Sequence, residues 1–472
     1  SDIRTLNRRD ANQFVRASLL VALLLWADSA IGQPVITNLG VFTGGNFSAA
    51  NAISADGSTV TGSSNGDIGN RAFRWTASGG LQNLGILSSI GPYSSGSALS
   101  ADGSVVTGIS AGANGNNRAF RWTAASGMQS LGVLGTGTAS AASAISADGS
   151  VIAGFSYTAG LTNGRAFRWT AAGGLQNLGT LPGGSGTDAF AISADGSVVA
   201  GIDSSIGAFR WTSTGGMQGL GDILGGNSSE ALALSPDGSV ATGDGYIDAA
   251  SSAFHAFRWT SAEGMQDLGV LAGGVNSQGR AISADNSIIV GTSESANGAR
   301  ASLWTHSLGM VDLNVYLSSL GLDLTGWTLT QASGISADGS AIAGYGDFNG
   351  ATRAFLVSNI PAPLAGDYNG NGIVDAADYV VWRKGLGTTY TQNDYDVWRA
   401  NFGRTASGGA GASVNTAVPE PSTAALIIIT MAIVRWRRRT LVLPNALLWA
   451  AATSPCYAIT YTTLDYPGLA LG

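Results

Sequence analysis

The stretch GDYNGNGIVDAADYVVWRKGLG, Gly366 to Gly387, has the residue types and spacing to hold a hard divalent cation. Counting from Asp367 as the first loop position puts Asn369 third, Asn371 fifth and Gly372 at the sharp turn. Ile373 then falls seventh and offers its backbone carbonyl, with Asp375 ninth and Asp378 twelfth. Oxygen ligands at these positions surround one Ca²⁺, and a helix leaves from the last of them. The helix is echoed downstream, DYDVWR (Asp394–Arg399) repeating DYVVWR (Asp378–Arg383), but the intervening loop TTYTQN (Thr388 to Asn393) lacks ligands. One calcium ion is therefore expected, bound with extracellular-type affinity of roughly 10⁻⁴ to 10⁻³ M.

Few other groups could do chemistry. Histidine occurs only at His255 and His306, and the single cysteine, Cys456, allows neither an internal disulfide nor a cysteine zinc site. Glu230, Glu263 and Glu294 are the only glutamates between residues 33 and 360, each in a stretch read as a variable loop. Glycoside hydrolysis needs two facing carboxylates, so no catalytic residue is expected. A net charge of -7 with a pI near 4.8 argues against a nucleic-acid partner.

The elements that must carry these residues are repetitive. AISADGSTVTG from Ala52 returns in variant form from Ala98, Ala144, Ala191, Ala233, Ala281 and Gly334. Its aspartates, Asp56, Asp102, Asp148, Asp195, Asp237, Asp285 and Asp338, stand 42 to 53 residues apart. That period fits propeller blades, and each unit holds four short β-like pieces. Asp-Gly supplies the backbone angles of a tight hairpin turn. The phrase RAFRW, at Arg71, Arg118 and Arg165 and in altered form in the later units, places Phe73 and Trp75 on one strand face and Arg74 on the other. The aromatics are expected to pack between units. Arg74, Arg121, Arg168, Arg210 and Arg258 are expected to stack or pair between them, the alternative being a basic ring for anionic glycans.

Glycine, 69 of 472 residues, is about twice its average usage and suits an all-β chain with many turns. The fourth piece reads LGIL from Leu84, LGVL from Leu131 and finally LNVYL from Leu313, and the seventh unit has none. The missing strand is present upstream in VITNLGVF, Val35 to Phe42. The expected fold is thus an all-β, seven-bladed propeller over residues 33–360, closed by an N-terminal strand that removes the open sheet edge. A linker (361–365) and a small helical calcium module (366–403) follow.

Three resemblances bear on function. The units resemble the HAF repeat of bacterial extracellular proteins, with His255-Ala256-Phe257 preserving the phrase itself; the family implies no activity. The calcium segment, with Asp at its twelfth position, is similar to a dockerin type I module, which implies a cohesin-like partner or attachment to a polysaccharide-degrading assembly. After a Gly/Ser/Ala-rich linker (404–417), residues 418–439 resemble a PEP-CTERM sorting signal. Its parts are Pro419-Glu420-Pro421, an apolar run, and Arg435, Arg437, Arg438 and Arg439. That resemblance implies an exosortase-type processing enzyme and transient membrane association. Residues 1–32 have the basic start, short apolar core and small-residue end of a signal peptide. Residues 440–472 are an atypical tail, expected to be read-through into a neighbouring secreted protein. The expectation is an exported, non-catalytic surface or matrix protein, the alternative a lectin or glycoside hydrolase of an extracellular assembly.

Overall fold

Asp56 shows how each hairpin is fixed. Its Oδ1 accepts from the Ser54 hydroxyl at 2.6 Å and from the Ser58 backbone N–H at 3.0 Å, and the same pattern recurs at Asp102, Asp148, Asp195, Asp237, Asp285 and Asp338. The residue that follows, Asn286 in the sixth unit and glycine in the others, takes a left-handed backbone, with φ of 65° at Gly103. A Cβ there would also come within 2.6 Å of the Thr59 side chain on the preceding blade, so the turn needs glycine for contact as well as for conformation.

The computed structural model describes residues 33–404, apart from 89–92, 113–114, 158–163, 224, 249–251, 362–363, 365, 369–372 and 387–391. Seven four-stranded antiparallel sheets form the blades of a β-propeller. The first blade runs outward through Ser48–Ile53, Thr59–Ser64, Arg71–Thr76 and Gly80–Asn83. The last consists of Trp327–Ile335, Ile342–Phe348 and Ala351–Ser358, and its outermost strand is Val35–Asn38 from the start of the propeller. Val35 pairs with Ser358 and Asn38 with Phe355, so the ring is closed as expected.

The aromatics hold neighbouring blades together. Phe73, Phe120, Phe167, Phe209, Phe257 and Phe355 are all fully buried. Phe73 and Trp75 share one cluster with Ala343 and Leu356 of the seventh blade. Trp75, Trp122 and Trp211 are buried and Trp169, Trp259 and Trp304 half-buried. A hydroxyl latch adds to this: Ser94 Oγ accepts from Ala72 N–H of the preceding blade at 3.0 Å and donates to the Gly85 carbonyl at 2.6 Å. Ser140, Thr187, Ser229 and Ser277 repeat it.

A belt of backbone bonds also runs from blade to blade. Ala55 N–H donates to the Ala101 carbonyl, Ala101 to Ala147, Ala147 to Ala194 and Ala194 to Pro236, at 2.8 to 2.9 Å. Ala284 donates to Ala337, and Ala337 to Ala55. The link out of the fifth blade is missing because Pro236 has no N–H.

Two expectations are corrected. The fourth strand of a unit is the GLQN-type stretch, as at Gly80–Asn83 and Gly174–Asn177, where the expected piece begins; most of the LGxL phrase lies beyond it. There the chain leaves the sheet and inserts Leu84, Leu178, Leu220 or Leu268 into the core. LNVYL is not a strand but the helix Leu313–Ser319, N-capped by Asp312, which buries Leu313 and Leu317 four positions apart on one face.

Candidate functional site

The helical module begins at the buried pair Asp367 and Tyr368. Asp375 caps the helix Ala376–Gly385: its side chain accepts from Ala377 N–H at 2.7 Å, while Asp378 accepts from Asp375 N–H at 2.8 Å. That capping box orients both carboxylates at the helix start. Asp367 and Asp378 are 6% and 0% exposed, whereas the Ile373 side chain is 43% exposed. Asn369 and Asn371 lie outside the described residues. The echoed phrases form the module's small core, with Trp382 of one helix against Tyr395 and Trp398 of Gln392–Asn401 and the more exposed Tyr379 ring beside them; the Trp382–Tyr395 centroids are 5.0 Å apart. Trp398 Nε1 donates to the Asp375 carbonyl at 2.8 Å and ties the second helix to the loop's end.

The propeller has its own candidate, produced by a defect repeated seven times. In every innermost strand the pairing skips a residue at one equivalent position: Asn51, Ser97, Ser143, Phe190, Leu232, Arg280 and Ser333; the last strand also skips Thr330. A bulged residue is freed from the ladder and its side chain re-aimed. All seven line a single cavity on the propeller axis, of about 440 Å³, a volume suited to a small ligand. Sequence reasoning missed this ring. Its signal was the variable residue just before each repeated Ala-Ile-Ser phrase.

Beside the cavity is an acidic group, also unforeseen. Glu230 was expected in a loop; it lies instead on the innermost strand Ser229–Leu234, paired with Asp244 of Val240–Tyr246. Glu294 likewise belongs to a strand, Ile288–Ser295, while Glu263 is in a turn. Burial, then the Glu230 charge, push the Asp244 carboxyl up to about 8, against the pull of Gln278 and Arg280. Burial and Glu230 also raise Asp188 to about 6. The Oδ1 atoms of Asp188 and Asp244 and the Nε of Arg280 are buried without a hydrogen-bond partner. None of the three acids lines the cavity, so they do not form a facing acid–base pair across it.

The repeated arginines are taken up between blades, as the plainer reading held. Nε of Arg74 donates to the Gly103 carbonyl of the next blade at 2.7 Å, and that of Arg168 to Gly196 at 2.9 Å; Arg121 and Arg210 follow suit at 3.4 and 3.3 Å. Arg258 differs. Its neighbour's turn carries Asn286 in place of glycine, and Arg258 bonds Glu263 instead, at 2.9 Å. His255 pairs with Asp267 at 2.9 Å, and His306 packs edge-on to Trp304. The sorting-signal residues Pro419, Glu420, Pro421, Arg435, Arg437, Arg438 and Arg439 lie outside the described residues. Among the described residues no helix is long and apolar enough to cross a membrane.

No family model matches the chain, and no curated protein matches it. Solved structures do. One is TolB from Acinetobacter baumannii, at 12% identity over 53% of this chain and 62% of that one, TM-score 0.37, so the match spans less than two thirds of that protein. Another is an oligogalacturonate lyase in complex with manganese, at 13% identity over 68% and 92%, TM-score 0.47. The oligogalacturonate lyase of Vibrio parahaemolyticus is similar at 13% identity over 68% and 93%, with the same TM-score.

Proposed function

We propose that this β-propeller protein is an exported, non-catalytic component of the cell surface or extracellular matrix. The ring is an interaction platform, and the C-terminal helical module is ordered by one calcium ion. The observation that carries the platform reading is a division of labour within each unit. Residues that repeat are engaged in building the ring: the turn aspartates, the latch hydroxyls, the buried phenylalanines and four of the inter-blade arginines. Residues that vary stand at the bulges facing the axial cavity.

The calcium reading rests on Asp367 and Asp378, carboxylates withdrawn from water at the ends of an oxygen-rich loop. Asp367, Asn369, Asn371, the Ile373 carbonyl, Asp375 and Asp378 would hold the ion, which supplies the charge that fixes the loop. Export, processing by an exosortase-type enzyme, transient membrane association and a cohesin-like or polysaccharide partner belong to the same reading, supported by the sequence motifs. Cell fractionation of the full chain, and of a chain lacking residues 418–439, tests it. The full chain is expected in the surface or matrix fraction and the truncated one elsewhere. Full chain confined to the cytoplasm would contradict it.

A further inference from the structure

Seven bulged positions face the axial cavity, and they are not equivalent. Four carry a hydroxyl or an amide: Asn51, Ser97, Ser143 and Ser333. The other three are consecutive around the ring: Phe190, Leu232 and Arg280 on the fourth, fifth and sixth blades. At the bulged positions the lining therefore has an apolar arc, one cation beside it, and a polar arc opposite, to which Gln331 adds an amide.

Arg280 is placed for a guest. Its NH2 donates to Gln278 Oε1 at 2.6 Å in a half-buried side chain, and its buried Nε has no hydrogen-bond partner. A guanidinium presents its donors as a planar fork suited to a carboxylate. One arginine matches one negative charge. Arg280 already pulls on the Asp244 carboxyl, which Glu230 faces, and these acids make a doubly charged guest such as phosphate costly. Phe190 offers a ring face for an apolar C–H surface, and the hydroxyl and amide arc suits a guest with several hydroxyl groups.

We propose that the axial cavity binds a sugar acid of the hexuronate class, its carboxylate on Arg280, one ring face against Phe190 and Leu232, and its hydroxyls toward the Ser and Asn arc. The cavity volume, about 440 Å³, accommodates a monosaccharide or the end residue of a chain. This goes beyond the platform reading. It builds on the same cavity-facing residues; cell fractionation tests where the chain resides and titration tests what the cavity holds, so the two fail separately.

Calorimetric titration of the full chain with D-galacturonate, D-glucuronate, the neutral sugars galactose and glucose, acetate and trigalacturonate tests it. One or both uronates are expected to bind roughly tenfold or more tightly than their neutral counterparts and than acetate. Arg280→Ser, which installs the residue already present at Ser97, Ser143 and Ser333, should weaken uronate binding by a similar factor. Phe190→Ser should weaken uronate without affecting acetate. Each variant is to be checked for an unchanged unfolding midpoint, and Arg280→Lys replaces Arg280→Ser if the latter does not fold. Trigalacturonate binding at least as tight as galacturonate identifies a polysaccharide end as the source, and weaker binding a free sugar acid; both agree with the proposal. Absence of binding by both uronates, equal binding of acetate, or uronate binding unchanged in Arg280→Ser would overturn it.

Discussion

The backbone N–H of Ala337, in the last repeat, donates to the carbonyl of Ala55, in the first, at 2.9 Å. It completes a belt that passes through every blade except at Pro236. The Ala-Asp-Gly phrase is thus more than a turn. Its alanine links blades through the backbone, its aspartate holds the hairpin, and its glycine lets the preceding blade approach and accepts from that blade's arginine.

Ala337→Pro removes the closing donor and leaves the Ala55 carbonyl without it. A loss of about 1–3 kcal/mol is expected in denaturant unfolding. Pro236→Ala should change stability by less than about 1 kcal/mol, because the new bond to the Ala284 carbonyl offsets the lost restriction of the unfolded chain.

Arg74→Met removes a bond that crosses between blades, while Arg258→Met removes a pair whose Glu263 partner is half exposed. The first is expected to cost about 1 kcal/mol and the second less, since exposed ion pairs contribute little. Urea midpoints of the two variants check the order.

The pH profile should fall on both sides. Bonds from the flanking serines hold Asp102 and Asp148 down to about 2, below the ordinary 3.8. Their contribution is present above the unfolded value and is lost as pH falls from about 4 to 2. Asp244 and Asp188 are raised, so the folded chain keeps protons that the unfolded chain releases, and stability declines as pH rises from about 4 to 8. Asp244→Asn should melt higher than the parent at pH 8.5 and close to it at pH 5; equal melting at both values would contradict the assignment.

Calcium should raise the unfolding temperature of the helical module and protect the amides of Ala376–Gly385 in hydrogen exchange. The double variant Asp367→Ala, Asp378→Ala should show no such response. Equal protection with calcium and with chelator in the parent chain would remove the metal from the account.

What was legible in the sequence was local or periodic. Asp-Gly turns, RAFRW aromatics and the missing fourth strand of the last unit are short patterns, and Val35–Asn38 pairs where they required. The bulges were not legible because Asn51 and Arg280 become unpaired only once two strands are in register. Asp188, Glu230 and Asp244 meet only through packing of separate strands and blades. The helix at Leu313 was misread by analogy with its equivalents, although Asp312 as a cap and the Leu313/Leu317 spacing carried the helical signal.

The central claim is a ring closed by its own first strand, and deletion of residues 35–42 tests it most directly. That removes the outer strand of the last blade and buried Leu39, exposing the edge of Ala351–Ser358. Calorimetry with light scattering should show a propeller transition lowered by several degrees or more, and self-association through the open edge. A truncated chain that stays monomeric and melts at the parent temperature would contradict the account.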